Sequence, residues 1–225
     1  MRTTYPLLAL VCTILMSSSP VAADQSGFLG DYSMLRPGTT GEADLIYRKY
    51  DGDHAKWGFY KQVRLEPVQV WKKQSADLKD DQAEYLAKIL WSRLDAELEK
   101  DYKMTREPGP GVLRIQIAIT QAGQNAPIEE IHTAVTPGTR LIYEQQDWVP
   151  STEEFVQGEV AAEMKVTDAE TGELLAAAVD RHGWGRHATK RPGEWSDVDE
   201  IITYWAKKIR WRFCMERGGA DCQKP

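Results

Sequence analysis

The chain has 225 residues, with 28 Lys plus Arg against 34 Asp plus Glu and a formal net charge of -6. That acidic balance argues against a nucleic-acid partner, since a general nucleic-acid binder carries a basic footprint. Hydrophobic content of 42% beside 28% charged residues suits a globular chain long enough to bury one sizeable core. Beyond the N-terminal leader no stretch approaches the roughly 18 apolar residues of a membrane span, so no transmembrane segment is expected in the mature chain.

The leader reads as a secretory signal peptide over residues 1–23. Arg2 supplies the positive start, Leu7 to Met16 an apolar run, and Ser17 to Pro20 a polar break. Val21-Ala22-Ala23 then places small residues where a signal peptidase cuts, so cleavage is expected after Ala23 and the location is the periplasm. Peripheral association with the outer membrane is a further option. Cys12 lies inside the apolar run behind Val11, without the small residue that precedes a lipidated cysteine. Loss of the leader leaves Cys214 and Cys222, which are expected to form a disulfide in an oxidising compartment, with Gly218 and Gly219 in the turn between them. Two cysteines without a nearby histidine make a poor metal set, so neither a metal nor a cofactor is expected.

Residues 24–41, rich in Gly, Ser, Asp and Pro, read as an extended arm docked through Phe28, Leu29, Tyr32, Met34 and Leu35. Residues 42–225 read as a single α+β domain. Leu45 to Tyr50 predicts a short strand with a turn at Asp51-Gly52-Asp53. Val63 to Trp71 predicts a longer one, placed at an edge or bulged because Pro67 interrupts it. Over Asp80 to Asp101, Ala83, Leu86, Ile89, Leu90, Leu94 and Leu98 recur at helical spacing. Val112 to Ala122 alternates as a strand, with Leu113, Ile115, Ile117 and Ile119 on one face. The stretch from 123 to 152 has weak periodicity and reads as a functional loop or an illegible segment.

Glu159 to Val166 and Leu174 to Asp180 form a hairpin around Asp168-Ala169-Glu170-Thr171-Gly172. A loop from His182 to Trp195 leads to a last helix, Asp197 to Cys214, with Ser196 as its N-cap and Val198, Ile201, Ile202, Trp205, Ile209 and Phe213 as its buried stripe. An antiparallel or mixed sheet covered on one face by two amphipathic helices follows, a two-layer α+β sandwich.

No nucleophile elbow, Walker loop, zincin pair or dinucleotide fingerprint occurs, and no catalytic residue is assigned. The acid pairs Asp80-Asp81 and Glu129-Glu130 read as solvated surface. The densest cluster runs from Arg181 to Arg191: Arg181, His182, Trp184, Arg186, His187 and Arg191 combine cations, imidazoles and an indole that could hold an anion or a sugar. Against this stands the plainer reading of a charged connection with Trp184 folded onto the core, and the plainer reading weighs more. Trp57, Trp148, Trp184 and Trp195 fall in loop-like sequence and could line a contact surface, although ordinary packing is the stronger account. Lys207, Lys208, Arg210 and Arg212 suit the C-terminal end of a helix dipole, with an anionic membrane or acidic partner as the alternative.

Ser26-Gly27-Phe28-Leu29-Gly30-Asp31-Tyr32-Ser33, followed by Leu35 and Pro37, resembles the opening motif of the bacterial family called domain of unknown function 3313. Val166-Thr167-Asp168-Ala169-Glu170-Thr171-Gly172-Glu173 resembles that family's second landmark. The resemblance implies an exported envelope protein, often a lipoprotein, with no established activity; here no lipobox cysteine precedes Ser26. The expected function is a non-enzymatic periplasmic module that binds a partner protein or an envelope component. The alternative is a small-ligand or glycan binder using the Arg181 to Arg191 loop, and an unrecognised enzyme ranks third.

Overall fold

In the computed structural model, the described residues are 25–71, 80–123, 130–131, 159–183 and 195–225. They form one mixed sheet of nine strands with three helices. The strands are β1 (Arg36–Pro37), β2 (Leu45–Arg48), β3 (Gln62–Leu65), β4 (Gln69–Trp71), β5 (Lys103–Met104), β6 (Val112–Gly123), β7 (Glu130–Ile131), β8 (Glu159–Asp168) and β9 (Leu174–Gly183). The helices are α1 (His54–Phe59), α2 (Asp80–Leu98) and α3 (Trp195–Glu216). The expected leader, residues 1–23, lies outside the described residues, as does most of the 123 to 152 stretch.

Strand order is β1-β2-β9-β8-β6-β3-β5, with β4 also beside β6 and β7 beyond β4. The β6-β8-β9-β2 core is antiparallel, which tight turns permit, while β3 and β4 run parallel to β6. A parallel pair needs a crossover, and α2 supplies it.

The expected Val63 to Trp71 strand is divided into β3 and β4, with one extra residue opposite β6 between the Leu65–Ile115 and Gln69–Ala118 pairs, so the bulged alternative holds and the edge one does not. Pro67 sits between them, where its missing N–H removes no ladder bond. β5 and β7 pair on their outer sides. The last helix spans Trp195–Glu216, which places Ser196, the expected N-cap, within it. β9 runs on to Gly183, which places Arg181 and His182 in the strand and not in the following loop.

Helices α2 and α3 share one face of the sheet. Leu86, Leu90, Leu94 and Leu98 of α2 and Ile202, Trp205 and Phe213 of α3 are buried against Leu113, Ile115, Ile117 and Ile119 of β6. The short α1 was not foreseen. Asp53 caps it by accepting the Lys56 N–H at 3.1 Å, and Trp57 is buried, stacked on Phe213 and donating its indole N–H to Tyr50 O at 3.0 Å. Trp57 is therefore core and not part of a contact surface.

The opposite face of the sheet receives the first described residues. Phe28 is buried edge-on against Trp71, and Lys165 donates to Phe28 O at 3.1 Å while lying over its ring. The Tyr32 hydroxyl holds the opening motif together. It accepts the Gly27 and Leu29 N–H groups at 3.0 and 3.4 Å and donates to Glu163 Oε2 at 2.6 Å. Gly27 adopts φ +97, a conformation that favours glycine at this turn. Glu163 is only 1% exposed, so this hydroxyl is a partner that a buried carboxylate needs.

The second motif is also a built turn. Asp168 accepts the Glu170 and Thr171 N–H groups through Oδ1 and the Tyr60 hydroxyl through Oδ2 at 2.9 Å. Burial alone would raise its pKa, but these donors outweigh burial and hold it below the ordinary value. Tyr32→Phe is expected to cost about 1–3 kcal/mol by orphaning the Glu163 carboxylate. Urea denaturation of the two proteins checks this, together with faster amide exchange at Gly27 and Leu29 in the variant.

Candidate functional site

The site lies where α3 crosses the sheet. Beneath the helix the floor is built from short side chains: Ala176 and Ala178 on β9 and Ala162 on β8. The α3 stripe above them consists of Trp205, Ile209 and Phe213, with Leu90, Ile117 and Met164 closing the sides. Methyl groups do not reach far enough to meet such a stripe everywhere. A cavity of about 110 Å³ remains. Ala162, Met164, Ala178 and Ile209 stay only half-buried, because the cavity reaches solvent.

Each end of the cavity carries a charged group network. At one end Asp180 Oδ2 accepts from Lys208 Nζ at 2.9 Å and from the Trp205 indole N–H at 3.0 Å. The Lys208 and Asp180 side chains are 8% and 14% exposed, so each charge needs the other. At the other end, Arg48 and Arg212 face Glu42 and Glu216. Arg48 reaches Glu42 at 2.7 Å and Glu216 at 3.3 Å, and Arg212 reaches them at 2.9 and 3.1 Å. Arg48 is paired with Ala176 in the β2–β9 register, four residues from Asp180, which separates the two networks along the strand.

The two glutamates respond oppositely. Burial would raise the Glu42 pKa, but the Thr39 N–H, the Thr39 hydroxyl and Arg48 outweigh it and hold Glu42 at about 2. For Glu216, burial outweighs its two arginines and lifts it above the ordinary carboxylate value. Two cations and two carboxylates thus close one end with matched charge.

The terminal-helix cations are therefore largely internal. Lys208 pairs with Asp180, Arg212 with Glu42 and Glu216, and Arg210 with Asp101 at 2.8 Å, while Lys207 is exposed. Of the residues singled out from the sequence, Arg181 lies in β9 with its N–H donated to Asp44 Oδ2 at 3.0 Å. His182 is in the same strand, its backbone beside Val160. Trp184, Arg186, His187 and Arg191 lie outside the described residues, as does Trp148. Cys214 and Cys222 are joined, with Cα atoms 5.6 Å apart. A Cβ on Gly219 would lie 2.6 Å from Cys214 Sγ, so only glycine fits there. Among the described residues no three His, Cys, Asp or Glu side chains are grouped to hold a metal ion. Nor is any described helix long and apolar enough to cross a membrane.

Sequence reasoning missed Asp180, Lys208 and the alanine floor as one site. The run Leu174-Leu175-Ala176-Ala177-Ala178-Val179-Asp180 carried the signal, an acid following an alanine-rich run.

A family model described as "Protein of unknown function (DUF3313)" matches residues 24–209. The chain belongs to this family. The match takes in both motifs, the alanine floor and most of α3. No curated protein matches the chain. Among solved structures, the PelC dodecamer from Paraburkholderia phytofirmans is 9% identical, covering 73% of this chain and 91% of that one, with a TM-score of 0.35. The lipoprotein GNA1162 from Neisseria meningitidis is 11% identical, covering 66% and 97%, with a TM-score of 0.33. A DUF330 protein from Xanthomonas campestris is 9% identical, covering 71% and 87%, with a TM-score of 0.37. Likeness at this level says nothing of ligand or partner for this DUF3313 chain.

Lys208→Met is expected to cost about 3–5 kcal/mol, because it leaves the Asp180 carboxylate buried without its cation. The double variant Asp180→Asn, Lys208→Met should recover a large part of that loss. Urea midpoints for the wild type and the two variants check this.

Proposed function

We propose that this DUF3313 protein is an exported, non-enzymatic module of the bacterial envelope, which binds an envelope component in the cavity beneath α3. The observation that carries the reading is the chemistry of that cavity. Its walls are alkyl and aromatic, and the charged groups at its two ends are engaged with one another. Such a site holds a ligand by excluding water and does not present a poised acid, base or nucleophile.

Export is supported by the leader-like residues 1–23 and by the Cys214–Cys222 pair, since such bridges persist in oxidising compartments. Closing so short a loop is worth about 2–3 kcal/mol in the chain-entropy model and ties the tail back onto the end of α3.

The test is fractionation of the full chain expressed in a Gram-negative host, followed by mass measurement and thiol labelling of the unfolded, non-reduced protein. The expected product is periplasmic, begins at Asp24 and takes no label; crosslinking in intact cells then recovers it with envelope material. A cytoplasmic protein that retains its leader and takes label at both cysteines would contradict the proposal.

A further inference from the structure

Resting on the envelope reading above, the geometry points to the ligand class: we infer that the cavity beneath α3 takes one linear acyl chain, with the polar head left outside. The first argument is chemical. Buried side-chain polar atoms without a partner among the described residues are Trp91 Nε1 and Thr167 Oγ1, and neither residue lines the cavity. An ordered water needs two to four polar partners, and the middle of this cavity, between Ala178, Ala162, Ile117 and Ile209, has none to offer. A dry hydrocarbon wall selects a hydrocarbon occupant.

The second argument is shape. The lining residues of α3 run from Trp205 to Glu216, three turns of helix or about 16 Å at the standard rise. A volume of about 110 Å³ under that length of helix is well below that of a drug-sized ligand site, which favours a slender alkyl chain over a fused ring system. The third is electrostatic. The charged groups at both ends are paired, Asp180 with Lys208 and Glu42 with Arg48, so no unpaired charge there calls for a charged group inside. The head is therefore excluded and the tail admitted.

The test uses the processed, delipidated protein and the fluorescent fatty acid dansylaminoundecanoic acid. Emission should rise and shift to the blue, saturating at one probe per chain. Ala178→Leu fills the slot from the sheet and Ile209→Trp fills it from the helix. Each should weaken the probe by about tenfold or more without lowering the melting temperature. The double variant Phe59→Ser, Met215→Ser removes the large apolar side chains exposed among the described residues and should leave binding unchanged.

Displacement by decanoate assigns the chain to free fatty acids, and displacement by lysophosphatidylglycerol assigns it to lipids; either result supports the inference. Absence of probe binding overturns it. So does binding that survives both slot-filling variants, or binding lost in the Phe59, Met215 variant. A processed periplasmic protein that ignores the probe would leave the envelope reading standing and remove this one. A cytoplasmic protein that takes the probe would do the reverse.

Discussion

The separation between α3 and the sheet is the constraint on which the rest turns. Trp205 and Phe213, both almost fully buried, line the cavity together with Ala162 of β8 and Ala176 and Ala178 of β9. The short methyl groups on the sheet leave part of the space beneath the helix unfilled. Under α2 the arrangement differs: leucines of the helix meet Leu113, Ile115 and Ile119, and the interface closes. One sheet face thus carries a packed half and an open half. The division follows side-chain volume, because close packing is lost wherever facing volumes fail to match.

An open interface exposes its ends, and the chain uses charge to close them. Burying Lys208 beside Asp180, and Arg48 and Arg212 beside Glu42 and Glu216, is costly for each ion alone and tolerable only as matched sets. Hydrocarbon at those positions would close the gap by collapse, whereas ion pairs hold fixed separations. Burial lifts the Glu216 pKa, while Thr39 and Arg48 hold that of Glu42 down. On the other face, the DUF3313 opening motif lies across the sheet through Phe28, Lys165 and the Tyr32–Glu163 bond. Both motifs that carried the resemblance are therefore explained as architecture.

Periodicity made the long elements legible. The leucine spacing of α2, the alternation of β6 and the hairpin of β8 and β9 each appear within a few residues of where the pattern puts them. Short elements escaped because their stability is tertiary: α1 has six residues and depends on Trp57 reaching Phe213 and Tyr50. Pro67 reads as marking an edge or a bulge; only pairing with β6 decides for the bulge. Ser196 has good capping chemistry, but the helix starts one residue earlier. The site was hidden for a different reason. Alanine carries no signal of absence, and a cavity is a relation between Ala178 on one element and Ile209 on another, far apart in the chain. The Arg181 to Arg191 cluster drew notice through its residue types, while Asp180, immediately before it, drew none.

The most direct measurement of the central claim is a crystal structure of the protein under xenon pressure, because xenon enters dry apolar cavities and is displaced from wet ones. The account predicts xenon beneath α3, between Ala178 and Ile209, with Lys208 still on Asp180. Ordered water at that position, or a collapsed α3 with Ile209 resting on the alanine floor, would contradict it.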